Sequence, residues 1–158
     1  GGATAEAAWP DKPIKLIVPF GPGGTSDQVA RIFQKSFEES RLLSQPLTVV
    51  NVGGHFSVGS RQVKDAPADG YNFLVVHVAL MGGEASGAMD FGWRDFEPVA
   101  NTSEFCLAPV VRADSPHKSV KDLLTAAKEK PDSIVFGVNI GAINHMAALL
   151  MEQTTPGG

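Results

Sequence analysis

The 158-residue chain contains a single cysteine, Cys106. One thiol excludes an internal disulfide and any cysteine-based metal cluster, and its apolar neighbours point to an inert core side chain. Long hydrophobic runs are also missing. A membrane-spanning helix needs about 20 apolar residues, whereas the longest stretches here, Ile14 to Phe20 and Phe73 to Leu80, are strand-length. Positive charge is scarce: 13 Lys+Arg against 17 Asp+Glu leave a net charge of −4. No broad positive field therefore favours nucleic acid or an anionic membrane. The four histidines, His55, His77, His117 and His145, show no i,i+4 pairing, which argues against a metal site. Cofactor fingerprints are absent too. The glycines at 21–24 are not followed by Gly-Lys-Ser/Thr and lack the three-glycine dinucleotide spacing. The N-terminus does not read as a signal peptide, having no charged segment followed by an apolar one. Residues 1–9 read as an extension, either the remnant of a cleaved export signal or a tag.

Glycine and proline, by contrast, are plentiful, at 17 and 11 residues. A chain of this length can bury roughly 70% of the surface its unfolded form exposes. Its hydrophobic share of 43% with 19% charge is that of a globular rather than a disordered protein. Ile14 to Phe20, Pro46 to Val52 and Tyr71 to Val78 read as buried strands. Between them lie a helix from Thr25 to about Glu39, with N-cap candidates at Thr25, Ser26 and Asp27 and an apolar face at Val29, Ile32, Phe33 and Phe37, and a short helix from Gly59 to Lys64. Strand, helix, strand, helix, strand favours a parallel α/β sheet. Met81 to Arg94 has little periodicity and reads as a loop. After it come an apolar run at Leu107–Val111 and a helix opened by Ser119 with Asp122 three residues on. That helix has Val120, Leu123, Leu124 and Ala127 as its stripe. A strand is expected at Ser133–Phe136, and a helix from Ala142 to about Gln153 carrying Met146, Leu149 and Leu150.

Three segments could carry chemistry. Phe20-Gly21-Pro22-Gly23-Gly24-Thr25-Ser26-Asp27 lies between a strand and a helix. Glycines there let backbone N–H groups approach a ligand, and the helix start adds free donors and partial positive charge suited to a carboxylate or phosphate. The same residues also fit a plain capped turn. Asp27 would cap the helix, order the loop or accept from a ligand donor. Gly53-Gly54-His55-Phe56-Ser57 ends the second strand similarly, as a turn or as a further binding loop through Ser57. Gly137 to His145 is a second strand–loop–helix, with Asn139 and Asn144 as ligand groups or as capping residues. His77, near the carboxyl end of the third strand, is either a satisfied core histidine or a ligand contact. Ser26, Ser57, His77 and Asp27 do not make a convincing nucleophilic triad, because no Gly-x-Ser-x-Gly elbow is present.

Taken in order, Trp9-Pro10-Asp11-Lys12-Pro13-Ile14, then Pro19-Phe20-Gly21-Pro22-Gly23-Gly24-Thr25-Ser26-Asp27, Pro67-Ala68-Asp69-Gly70-Tyr71, Phe96-Glu97-Pro98-Val99-Ala100, Ser115-Pro116-His117-Lys118-Ser119 with Lys121-Asp122-Leu123-Leu124, and the Gly137–His145 loop resemble the substrate-binding proteins of tripartite tricarboxylate transporters, the Bug family. The resemblance implies an exported, periplasmic α/β protein of the periplasmic-binding type. It would have two lobes, each with a mainly parallel sheet flanked by helices, here incomplete: lobe 1 at residues 10–100 and the first part of lobe 2 at 101–158. It implies a small organic carboxylate as ligand, membrane permease subunits as partners, no cofactor and no catalysis. By matched position, the first lobe would supply Phe20, Gly23, Gly24, Thr25, Asp27, Ser57, His77 and Ala79. The second would supply Asn139, Gly141, Ala142 and Asn144. Where family members carry a glycine-rich stretch, His55 and Phe56 stand here, a departure expected to move specificity toward an aromatic or longer acid. Family members are also longer, so a dimer or a complementing fragment is a further expectation. The alternative from another class is a small α/β enzyme using the glycine loop as an anion or oxyanion site, with Asp27 or His77 as its base.

Overall fold

The computed structural model describes residues 8–154. The central element is β1 (Ile14–Val18). Ile14, Leu16, Ile17 and Val18 are all buried, as an apolar run covered on both faces must be. β2 (Leu47–Asn51) and β3 (Asn72–Leu74) pair with it in parallel, giving the order β2-β1-β3. Leu16 stands opposite Val49 on one side and Phe73 on the other.

The chain leaves β1 through α1 (Thr25–Ser40), reaches β2, and returns across the sheet through α2 (Phe56–Lys64) to β3. Right-handed crossovers stepping first to one side of β1 and then to the other put the two helices on opposite faces. On the α1 face, Leu16, Val18 and Ala30 form the core, with Phe20, Phe33, Leu47, Val49, Phe73 and Val75 packed around them. α2 sits so close to the sheet that a Cβ on Gly59 would fall 2.9 Å from the Cα and Cβ of Pro19 and 3.0 Å from Cβ of Val52. α3 (Ala79–Ala85) lies in turn on the fully buried Phe56, whose ring is 2.9 Å from the Cβ position of Gly83.

Three expectations for this region change. α3 occupies a stretch read as loop, because Gly82 and Gly83 pack through their backbone and leave no apolar periodicity to detect. β3 stops at Leu74 rather than Val78. The Val75 N–H still bonds the Ile17 carbonyl at 2.9 Å, and the chain then turns toward α3. Ile32 is 67% exposed: the buried stripe of α1 runs through Ala30, Phe33 and Phe37 and leaves Ile32 at its edge.

The chain divides into two compact units, Gly1–Ser103 and Glu104–Gly158. Residues 1–7 of the expected N-terminal extension and residues 155–158 lie outside the described residues. In the second unit, α4 (Val120–Glu129) is capped as its sequence predicts. The Asp122 N–H donates to Ser119 Oγ at 3.1 Å, and the Lys118 N–H donates to the Asp122 carboxylate at 3.0 Å. Leu123 is buried, but Val120 is exposed. α5 (Ile143–Thr154) keeps Leu149 and Leu150 exposed. The strand expected at Ser133–Phe136 is not formed, and Leu107–Val111 is likewise unpaired. A strand needs a neighbour for its N–H and C=O groups, and the described residues of this unit offer none. Val135 and Val110 are accordingly 92% and 89% exposed. Cys106, expected in a core, is exposed on this unpaired stretch.

The close approach at Gly59 gives a direct test. Gly59→Ala is expected to lower unfolding free energy by about 1–3 kcal/mol through overpacking against Pro19. Gly53→Ala, whose added methyl would meet nothing within 4 Å, should change it by less than about 0.5 kcal/mol. Urea denaturation of both variants measures the contrast.

Candidate ligand-binding site

The three parallel strands deliver their following loops to one edge of the sheet. Because the chain leaves β1 on one side and returns to β3 on the other, the switch point where open α/β sheets bind ligands lies between these two strands. There the rings of Phe20 and His77 stack, with centroids 4.8 Å apart and planes 15° from parallel. Phe56 stands 6.3 Å behind Phe20.

The β1–α1 loop carries main-chain donors exposed at the start of α1. Gly23 is in the left-handed region at φ 89°. Gly24, and not Thr25, Ser26 or Asp27, is the N-cap of α1: its backbone is extended, and no side chain caps the helix. The side chains expected to cap are themselves the first helical residues. The N–H groups of Gly24, Thr25 and Ser26 therefore point out of the helix end, where the helix dipole is positive. Gly23, Gly24 and Thr25 are exposed.

Asp27 faces the other way. Its side chain is buried, the residue being 3% exposed. One carboxylate oxygen accepts from the Gly23 N–H at 2.8 Å and from Arg31 Nε at 3.0 Å; the other accepts from Asn51 Nδ2 at 2.9 Å. The Arg31 hydrogen bond, then that of Gly23, then that of Asn51 hold its pKa down at about 2. Of the roles expected for Asp27, the geometry gives it the ordering of the loop. Arg31 and Asn51 were not picked out from the sequence. The i,i+4 spacing of Asp27 and Arg31 was a usable signal, whereas Asn51 has none until the strand order is known.

At the β2–α2 turn, His55 is the N-cap of α2. Its Nδ1 accepts from the Ser57 N–H at 3.3 Å and lies 2.7 Å from Ser57 Oγ. Phe56 does not line a ligand face, contrary to its expected role in specificity; it is fully buried beneath α3. Ser57 is half-buried. His77 lies between β3 and α3, where its Nδ1 accepts from the Ala79 N–H at 3.2 Å. Burial lowers its pKa. Ala79 is buried, and its amide is engaged by His77.

The second unit's loop is turned on itself. The Asn139 N–H donates to Asn144 Oδ1 at 3.4 Å, the Gly141 N–H to His145 Nδ1 at 3.2 Å, and the Ala142 N–H to the Asn139 carbonyl at 2.9 Å. Gly141 holds the left-handed conformation that this closure needs, at φ 77°. Three amides expected to face a ligand are thus bonded within the loop, and Gly141 and Ala142 are buried. Among the described residues, no group of three or more His, Cys, Asp or Glu side chains could hold a metal ion. No helix among them is long and apolar enough to cross a membrane.

The model of the tripartite tricarboxylate transporter family receptor, TctC, matches residues 29–156. The chain belongs to this family. A UPF0065 protein from the tcbD-tcbE intergenic region of Pseudomonas sp. (strain P51) is 34% identical over 151 residues, covering 91% of this chain and 44% of its own length. Protein BugT of Bordetella pertussis is 30% identical, covering 93% and 46%. Among solved structures, the periplasmic binding protein BugD superposes with a TM-score of 0.71 at 27% identity, over 92% of this chain and 50% of that one. An R. palustris protein solved with adipate superposes with a TM-score of 0.70 at 25% identity, over 94% and 50%. This TctC-family chain spans about half the length of the relatives it matches, and its α/β fold with a parallel sheet is that of the periplasmic binding proteins.

The buried carboxylate sets an acid response. Asp27 has a folded pKa of about 2 against an ordinary 3.8, so on acidification the unfolded chain takes up this proton first. The stability it contributes is complete above the ordinary value and is lost as pH falls through about 2. Thermal melts between pH 6 and pH 2 should show Asp27→Asn melting several degrees lower than the parent at pH 6, with the gap closing toward pH 2.

Proposed function

We propose that this chain is the ligand-capturing part of an extracytoplasmic, periplasmic solute-binding protein. It takes a small organic carboxylate (a di-, tri- or aromatic acid) and passes it to the membrane permease subunits of a tripartite tricarboxylate-type transporter. The observation that carries the reading is the uncapped N-terminus of α1, with Gly23, Gly24 and Thr25 exposed around it. Anions bind at such helix ends through main-chain donors and the dipole together. Membership of the receptor family and the adipate carried by a structural relative support the same chemistry.

In this reading the amides of Gly24 and Thr25 face one carboxylate, on a loop turned by Gly23, whose own N–H is given to Asp27. Ser57 adds a hydroxyl, and the Phe20–His77 stack offers a flat aromatic wall for the carbon skeleton. Asp27 and Ala79 act through the groups they hold. The reading assigns no catalytic role and no cofactor. The rival enzyme would need a base beside the loop, and a carboxylate held near pKa 2 by three donors is a poor proton acceptor at neutral pH.

A proline at position 25 separates the amide from the fold. Proline is well accommodated as the first helical residue, where its missing N–H breaks no helical bond, and the extended Gly24 before it suits it. Millimolar adipate, citrate or benzoate is expected to raise the melting temperature of the parent chain, while uncharged adipamide does not. Thr25→Pro should retain its unliganded melting temperature and lose about tenfold in affinity for the responding acid, whereas Thr25→Val, which keeps the N–H, should lose less. A parent chain indifferent to every acid, or a Thr25→Pro variant binding like the parent, would refute the reading.

A further inference from the structure

The hydrogen bonds around Asp27 form a closed ring with two arms. Arg31 donates through Nε to Asp27 and through a terminal nitrogen to Asn51 Oδ1 at 3.2 Å, while Asn51 Nδ2 donates back to Asp27. One arm runs from Asn51 Nδ2 to the Phe20 carbonyl at 3.3 Å, and the other from Asp27 to the Gly23 N–H at 2.8 Å. The ring therefore grips the β1–α1 loop at Phe20 and at its left-handed glycine. Gln28 Nε2 adds a third grip on the Gly23 carbonyl at 3.1 Å. Asn51 is the last residue of β2, and Arg31 lies two turns into α1 counted from the cap. The loop is thereby referenced to the rigid sheet, and its own main chain leaves the Gly24 and Thr25 amides aimed outward.

We infer that Arg31 and Asn51 are positioning residues of the carboxylate site: they lock Asp27, and through it Gly23, so that the amides at the start of α1 hold one fixed direction. This rests on the carboxylate reading of that loop. Neither residue touches the ligand. Arg31 has a second task, because a bare carboxylate at the third helical position would repel an incoming anion. Paired with Arg31, Asp27 leaves the field at the helix end to the dipole. A main-chain site has few adjustable side chains, so small errors in amide direction translate into lost binding. Lysine cannot replace Arg31 in this role, since an ammonium carries the charge without the planar fork that reaches Asp27 and Asn51 together.

The test uses the full chain with adipate as probe, together with two-dimensional NMR of the Gly23 amide. In the parent, the Gly23 amide shift should titrate with Asp27 near pH 2. Asn51→Ala, Asn51→Ser and Arg31→Lys should raise that midpoint and speed Gly23 amide exchange. At a temperature well below melting, each should also weaken adipate binding about tenfold. A purely structural role would lower the melting temperature without moving the affinity of the folded protein. A simple charge role would leave Arg31→Lys at parent affinity. Either result, with the parent binding adipate normally, overturns the positioning role and spares the carboxylate reading. If one of the asparagine variants fails to fold, the other and Arg31→Lys decide the matter. A parent chain that binds neither adipate nor any other acid overturns both.

Discussion

A carboxylate taken out of water is costly unless donors replace the water it loses. Asp27 is the residue where this chain meets that constraint, and the donors come from three different places: the preceding loop, its own helix and the end of the neighbouring strand. The consequence is more than local. A charge satisfied by Gly23, Arg31 and Asn51 can be satisfied only when β1, β2 and α1 stand in their native relation, so the carboxylate makes the loop conformation conditional on the sheet. It also explains how an acidic residue sits inside the first turn of a helix whose free end is suited to anions. The negative charge is directed into the protein and matched there by Arg31, while the unbonded N–H groups point the other way.

What the sequence revealed follows from which interactions are local. β1 and α1 were legible because an apolar, β-branched run and a helix-period stripe are properties of consecutive residues, and the glycines between them mark where one period gives way to the other. Thr25 and Ser26 are good capping residues in general, but here the chain enters the helix one residue earlier, through Gly24. Asn51 was invisible, since its importance arises only when the order β2-β1-β3 brings it beside Asp27. The burial of Phe56 is hidden for the same reason: nothing nearby in sequence announces that Gly83 will cover it. The stretch at Ser133–Phe136 illustrates the converse. Its residues favour a strand, yet a strand is a pairing, and propensity without a neighbour leaves Val135 in solvent.

The glycines divide into two kinds with different physical reasons. Gly23 and Gly141 hold a left-handed backbone in which added Cβ atoms are strained. Gly59 and Gly83 are ordinary in conformation but have no room for a side chain, because α2 lies directly on Pro19 and α3 directly on Phe56. The second kind serves the first. Seating α2 tightly against the end of β1 fixes where α2 begins, and so where His55 and Ser57 stand relative to the β1–α1 loop. Gly59 and Gly83 are thus packing residues that set where α2 and α3 lie against the sheet and against each other.

A site made of main-chain donors identifies a carboxylate but says little about the rest of the molecule, because every peptide N–H presents the same group. Discrimination must then come from the few side chains around it, and in the site proposed above these would be Phe20 and His77, which stack at the β1–β3 switch point. The histidine does not add a second positive charge there. Burial lowers its pKa, and its Nδ1 already accepts from the Ala79 amide, so at neutral pH it is an uncharged ring stacked on another ring. In the proposed site, charge recognition would therefore be left to the helix end, and shape recognition to a flat aromatic pair. In such an arrangement the acid group can stay constant while the carbon skeleton varies. Substitutions at the aromatic pair can then alter which acid is held without disturbing how the carboxylate is held, provided that the ring of hydrogen bonds around Asp27 keeps the amides in place.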